Sequence, residues 1–489
     1  MKSTLPKHHT KIVCTLGPAS DSPRILESLI RHGMTVARLN LSHGTPDWHR
    51  TVSGRIREIS GKMGRRVAIL ADLPGPKIRI GSLLAPMTLR RGESLLLSGE
   101  RAETGKERWI PLELPPLRRP LASGDRIYLS DGAIALRVDH STPELLRCRV
   151  ITGGILLSRK GVNIPGLLLN GGAFTDEDRR LLAIALEAGA DGVGVSFVET
   201  GEDLDSVRRE ARRLGHDPFL VAKIERRRAL ENIDVLLERA DALMVARGDL
   251  GVEVPIERIA LLQKALVRKA IDRGKPVIIA TQMLESMVHN PRPTRAEVTD
   301  VANAVIDGAD ALMLSEETAM GENPVAAVAM LARIIGVTES APRPGAPNPR
   351  IHPAPSIEEV LASGVRTAAE QLSPRVIAVP TETGATATRI ARFRLRAWIL
   401  ALSPSERTCQ KLCLCRGVHP QRVERQKGDW KDVLRGILAR LEIRPGIVLL
   451  TQGPGPETPG ETNRLEILRY EGPEAALAPG KPNESKRGG

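Results

Sequence analysis

The chain is poor in aromatic residues: only 2% of its 489 residues are Phe, Trp or Tyr. Its cores must therefore rely on Leu, Ile, Val and Ala. It also lacks the basic runs interleaved with aromatics on which nucleic-acid bases stack. Cysteine is scarce too: five scattered residues cannot make a disulfide framework. Cys409, Cys413 and Cys415, followed by His419, match no zinc spacing, and the segment reads as a helix end with buried thiols. No apolar run approaches the ~18 residues of a membrane-spanning helix. The opening "MKSTLPKHHTKIV" lacks the apolar stretch of a signal peptide. The expectation is a soluble, cytoplasmic protein with no membrane partner.

What is present is positive charge and repeated short apolar runs. Seventy-one Lys and Arg against 58 Asp and Glu give a net charge of +13. That excess suits a solvated basic surface or small anionic substrates, and the missing aromatics argue against nucleic acid. The length exceeds one ordinary core, so two or three domains are expected.

Eight runs share one form: 11–17, 35–42, 67–73, 192–198, 219–225, 242–249, 276–282 and 311–317. Each is continuous and rich in Val, Ile, Leu and Ala, as buried parallel strands are. Helical patterns lie between most of them. In "FTDEDRRLLAIALEAGA", Thr175 can cap, Asp178 follows three residues later, and apolar residues recur at helical spacing. Eight strands alternating with helices predict an α/β fold, a (β/α)₈ TIM barrel, with a doubly wound sheet as the alternative.

About a hundred residues separate the third and fourth runs, far more than a βα loop. This insertion's shorter strands and Gly- or Asp-Gly-containing turns predict an inserted small β domain over residues 75–170, hung over the barrel's catalytic face, with the barrel in 1–74 and 171–340. Residues 338–355 hold six prolines, and 341–355 reads as a linker. Alternation of helix and strand restarts in 356–471, a C-terminal α/β domain. Residues 472–489 read as a disordered tail.

The polar residues of the eight runs gather at their C-terminal ends: Arg38, Asn40, Ser42, Asp72, Ser196, Lys223, Glu225, Arg247, Asp249, Thr281, Gln282, Ser315 and Glu317. In a barrel these ends form one rim, where active sites lie. One such residue is usually a loop anchor; seven strands sharing the pattern point to a functional rim. Glu225 and Asp249, on adjacent runs, offer hard oxygens suited to Mg²⁺, the bland alternative being ion pairs with Lys223 and Arg247. Lys223 and Glu225 share one strand face and so reach the same space. A cation, two carboxylates and a divalent ion in one pocket suit phosphoryl or enolate chemistry. Gly248 and Gly251 let the backbone approach a ligand where a short helix can start.

The segments "TKIVCTLGPAS", "VARLNLSHG", "DLPGPKIRIG", "SRKGVNIPG", "VAKIE", "VARGDLGVEVP", "IIATQMLESM", "PRPTRAEVTDVANAVIDGADALMLSEETAMGENP" and "TETGATATR" closely resemble the pyruvate kinase family, in the family's order, over about residues 10–470. The resemblance implies a (β/α)₈ barrel with an inserted small β-barrel lid domain and a C-terminal α/β domain, transfer of a phosphoryl group from phosphoenolpyruvate to ADP, allosteric control by a sugar phosphate or AMP, and a homotetramer. By motif position, Glu225 and Asp249 are the expected Mg²⁺ ligands, with Mn²⁺ as a substitute. Lys223 is the expected cation for the transferring phosphoryl and the enolate, and Arg38 the phosphate clamp. Gly248, Asp249 and Thr281 would meet the substrate carboxylate, with Thr281 on the proton route. Arg79, Lys160, His43 and Asp131 are the expected nucleotide contacts; Asp131 also suits a plain hairpin turn. Asn40, Ser42 and Asp72 match a monovalent-cation pocket, with Leu73 standing where the family's Thr carbonyl would be.

The sequence departs from the family at a few positions. Potassium-dependent members carry a glutamate where this chain has Lys77, whose ammonium could replace the ion, so activity without added K⁺ is expected; the bland reading is a surface charge. Glu316 and Glu199 replace a small and a basic residue. Thr381, Thr383, Gly384 and Thr386 match the effector loop, with Ala385 where many relatives have arginine, and "TQGPGPETPGETN" could form its other wall. Two rivals remain: a Mg²⁺-dependent lyase acting on pyruvate enolate, which has no use for the lid, and a basic binding protein, which has no use for an intact rim.

Overall fold

Each of the eight apolar runs carries most or all of a strand, and each strand is shorter than its run. They are β1 (Lys11–Thr15), β2 (Met34–Asn40), β3 (Ala68–Leu73), β4 (Gly192–Val195), β5 (Phe219–Ile224), β6 (Ala242–Ala246), β7 (Val277–Ala280) and β8 (Ala311–Leu314). In the computed structural model they pair in parallel, each with the next in chain order, and β8 closes on β1. The architecture is a closed barrel and not a doubly wound sheet. The structure describes residues 5–100, 108–114, 117, 120–130, 132–142, 144–167, 172–341, 349, 354–425, 429–453 and 462–472.

Side-chain alternation explains why these runs are apolar throughout. One face, with Ile69, Ala71, Leu220, Ala222 and Ile224, packs outward on the helices. The other, with Val13, Val36, Leu70, Phe219, Val221 and Met244, fills the barrel interior. A Cβ on Gly192 would fall 2.0 Å from the Phe219 ring, so the missing side chain makes room for that ring in the floor. Cys413 and Leu414 of the C-terminal region join the same interior cluster. Burial pushes the Cys409 thiol up to about 11 and the Cys413 thiol up to about 12, which suits packing groups better than nucleophiles.

Helix Asp176–Glu187 opens with the anticipated capping box between Thr175 and Asp178. Between β3 and this helix the chain forms a seven-stranded sheet. Its order is Ile78–Arg79, Gly161–Asn163, Arg126–Leu129, Ile134–Ser141, Leu145–Thr152, Ser94–Ser98, Arg108–Pro111. The bridge Ile80–Leu112 lies just past its two edge strands and draws them together. Leu95, Leu97, Ile127, Leu136 and Val138 give this sheet its own core.

The C-terminal sheet has five strands, ordered Val418–Arg422, Trp398–Ser403, Val376–Pro380, Gly446–Gln452, Arg464–Tyr470. Sequence pattern misses the first and the last of these. Both are edge strands: one contains Pro420, and the other runs antiparallel with mixed exposure, so neither carries a continuous apolar run. This domain docks on the end of the barrel where the strands begin. Arg394 pairs with buried Asp310 at 2.7 Å, and Lys11 donates to the Val418 carbonyl at 2.7 Å. The tail from 473 onward and most of the proline-rich linker lie outside the described residues.

Candidate active site

At the opposite end of the barrel, the inward positions turn from apolar to charged within one strand. On β5 the inward series runs Phe219, Val221 and Lys223, continued by Glu225 just past the strand. On β3 it runs Ala68, Leu70 and Asp72. Gly194 of β4 pairs in register with Asp72, and a Cβ there would sit 3.0 Å from Asp72 Oδ1. The absent side chain gives the carboxylate its space.

These groups form one connected network. Arg38 Nε donates to Asp72 Oδ2 at 2.7 Å, Nη2 donates to the same oxygen, and Nη1 donates to Thr15 Oγ1 at 3.0 Å. Lys223 Nζ lies 3.1 Å from Asp72 Oδ1 and 2.9 Å from Glu225 Oε1. It also donates to Ser196 Oγ at 2.6 Å, and that hydroxyl donates to the Leu73 carbonyl at 2.7 Å. Glu225 Oε2 accepts from the Phe197 amide at 2.7 Å. Lys223 is only 9% exposed and Glu225 2%.

Electrostatics follow from this crowding. Burial would lower the Lys223 ammonium, but Asp72 and Glu225 outweigh it and hold the group above the ordinary lysine range. Burial would raise Asp72, yet Arg38 and Lys223 hold it below the usual carboxylate range. Burial pushes Glu225 up despite Lys223, and the like charge of Asp249 pushes the same way. Two cations thus face three carboxylates. Glu225 is buried and Asp249 half-buried, and this excess of negative charge suits a divalent cation. Among the described residues no group of three or more His, Cys, Asp or Glu gathers as a metal cage, and that includes the Cys409–His419 segment.

Several sequence expectations need amendment. Lys223 and Glu225 do form an ion pair, although Asp72 shares it. Arg247 takes no part; it pairs with Asp300 at 2.6 Å and braces the Thr281 carbonyl at 2.7 Å. Asp249 does not end a strand but lies in the first turn of helix Arg247–Glu253, because β6 stops at Ala246. The Gly248 amide is occupied, donating to Thr281 Oγ1 at 3.0 Å. Thr281 has φ +68° and Gln282 φ +55°. A β-branched residue there is strained, and such strain is found where a side chain must be aimed.

The expected nucleotide contacts come together in part. Arg79 pairs in register with Gly161, beside Lys160, and both side chains are exposed. His43 is exposed on the β2 loop, and Asp131 lies outside the described residues. Asn40 and Asp72 are register partners across β2 and β3, and Asn40 Oδ1 accepts from the Ser42 amide at 3.1 Å. Lys77 is exposed and forms no ion pair among the described residues. Glu199 is absorbed by Arg226 at 2.9 Å and Arg228 at 3.3 Å, and Glu316 is exposed. In the C-terminal loop, Thr381 and Thr383 accept from the amides of Gly384 (2.9 Å) and Ala385 (3.4 Å). Thr386 meets Thr462 at 2.7 Å, which ties the two loops together.

Sequence reading gave no role to Thr15 or to the Phe197 amide, and it read Asp178 only as part of a helix cap. Thr15 sits at an inward rim position of β1 and could have been found by alternation. A backbone amide leaves no mark in a sequence.

Comparison with known proteins identifies the family. Family models for the pyruvate kinase barrel domain and alpha/beta domain match residues 7–328 and 359–468. The chain is 42% identical over 474 residues to the pyruvate kinase of Thermococcus litoralis, covering 95% of this chain and 99% of that protein. It is 37% identical over 464 residues to the enzyme of Mycobacterium tuberculosis, covering 94% and 98%. For the Thermotoga maritima enzyme the figures are 36% over 469 residues, covering 94% and 99%. With family models and relatives matching over this extent, the chain belongs to the pyruvate kinase family and is a phosphotransferase.

Proposed function

We propose that the protein transfers the phosphoryl group of phosphoenolpyruvate to ADP, with Mg²⁺ or Mn²⁺ held by Glu225 and Asp249. The carrying observation is the single network of Arg38, Asp72, Lys223 and Glu225 at the barrel rim. The bound metal ion, when present, neutralises charge on substrate oxygens. Arg38, braced by Asp72 and Thr15, presents its planar fork to the substrate phosphate. Lys223 is fixed by three partners, so its charge is preplaced for the phosphoryl as the bond to the enol oxygen breaks and the bond to ADP forms. The same charge steadies the enolate left behind. Protonation of its methylene carbon then gives pyruvate, and the Thr281 hydroxyl, directly or through an ordered water, lies on that proton's route. Arg79, Lys160, His43 and Asp131 contact the nucleotide from the lid side.

The proposal has three finer parts. A phosphorylated effector, a sugar phosphate or AMP, binds at Thr381, Thr383, Gly384 and Thr386. The assembly is a cytoplasmic homotetramer. Turnover needs no added K⁺, because Lys77 brings a charge to the pocket of Asn40, Ser42, Asp72 and Leu73; its exposed ammonium has no competing ion pair among the described residues.

The test is pyruvate formation from phosphoenolpyruvate, ADP and Mg²⁺ with K⁺ present and then rigorously absent. The native chain should keep most of its rate without K⁺, and Lys77→Glu should become K⁺-dependent. A native rate that collapses without K⁺ sinks the Lys77 proposal and leaves the kinase.

A further inference from the structure

The chain leaves the barrel for the inserted sheet past Gly75 and comes back through Ala173. Both crossings are held by carboxylates that belong to helix capping boxes. Asp203, in the box that opens helix Gly201–Arg213, accepts from the Ala173 amide at 3.0 Å. Asp178, 1% exposed, divides its two oxygens. Oδ2 closes its own box, accepting from the Thr175 amide at 2.9 Å and the Thr175 hydroxyl at 2.6 Å. Oδ1 accepts from the Gly75 amide at 3.0 Å, across 103 residues of chain. Capping alone needs only the first oxygen.

Gly75 presses on the catalytic shell. Its φ is +64°, and a Cβ there would lie 3.0 Å from the Phe197 ring and 3.2 Å from Ser196 Cβ. Ser196 carries the hydroxyl that holds Lys223, and Phe197 the amide that holds Glu225. Phe197 itself has φ +55°, a conformation that persists only when neighbours enforce it. We propose that Asp178 is a positioning residue for the divalent-metal centre: it fixes Gly75, and Gly75 seats Ser196 and Phe197 so that Lys223 and Glu225 are correctly aimed. The inference rests on the proposed reading of Glu225 as a metal ligand. It adds that the root of the lid and the metal ligand share one anchor, so displacing the lid's root loosens the metal.

The test is Mn²⁺ binding to the full-length protein, titrated by water-proton relaxation, with turnover measured separately. Three variants are compared. Asp178→Ala removes both functions of the carboxylate. Thr175→Val damages the same capping box but leaves Oδ1 on Gly75. Gly75→Ala strains the turn and crowds Phe197 without touching the box, and it carries the test should Asp178→Ala fail to fold. Losing a partner that orients a metal ligand typically costs ~10–100-fold in affinity. Asp178→Ala and Gly75→Ala should therefore weaken Mn²⁺ binding by about tenfold or more, while Thr175→Val matches the native chain. Amide hydrogen exchange around Gly75 should rise in Asp178→Ala alone among the two box variants. Equal effects of Asp178→Ala and Thr175→Val, or native Mn²⁺ affinity in Gly75→Ala, would overturn the inference. A native chain that binds Mn²⁺ but shows no turnover would end the proposed reaction without deciding against this anchor.

Discussion

Replacing Lys223 with methionine should lower kcat by at least ~10²–10³-fold while the KM for phosphoenolpyruvate changes little. A preplaced charge that acts mainly on the transition state is worth that much in an enclosed site. Arg38, the proposed phosphate clamp, stays in place, so ground-state binding survives. A loss in kcat and kcat/KM together, with KM held, is the mark of an interaction made only in the transition state. Lys223 also sits between Asp72 and Glu225, and breaking a buried ion pair costs up to about 3–5 kcal/mol. Lys223→Arg separates the two effects. It restores charge and most of the stability, but its fork cannot occupy the point held by Nζ between Ser196, Asp72 and Glu225. Steady-state kinetics beside thermal melts check both, and a Lys223→Met enzyme within tenfold of native kcat contradicts the assigned role.

Glu225→Gln is the second large effect. The amide keeps the shape of the carboxylate and can still accept from the Phe197 amide, so the fold is little disturbed. It removes one of the two charges that would hold a divalent ion. The Mg²⁺ concentration for half-maximal rate should rise by more than the ~10–100-fold that loss of an outer-shell partner costs. Chelation of the native enzyme should abolish turnover, and returning Mg²⁺ should restore it. Glu225→Gln with unchanged Mg²⁺ dependence would remove Glu225 from the metal site.

Much of the fold was legible because burial on both faces leaves a strong trace. Runs such as "VAILADL" and "PVIIATQ" are short, continuously apolar and β-branched, as central parallel strands buried on both faces are. The Thr175–Asp178 pair marked a helix start for a local chemical reason that tertiary structure did not override. The edge strands Val418–Arg422 and Arg464–Tyr470 were not legible, since edges need no continuous apolar run. In the site, inward alternation on β5 correctly brought Lys223 and Glu225 together. It could not reveal that Asp72, 151 positions earlier in the numbering, would share the same ammonium, because that contact depends on barrel closure and on the space left by Gly194. Nor could it show that Arg247, in the same rim motif as Asp249, turns away to Asp300. Side-chain identity fixes what chemistry is possible; register decides which groups meet.

The most direct test of the central claim is to follow phosphorus by ³¹P NMR in a mixture of the protein, phosphoenolpyruvate, ADP and Mg²⁺. The phosphoenolpyruvate signal should fall while the ATP signals grow one for one, with no turnover when ADP is left out. Loss of phosphoenolpyruvate to inorganic phosphate without ATP, or no loss at all, would contradict that claim.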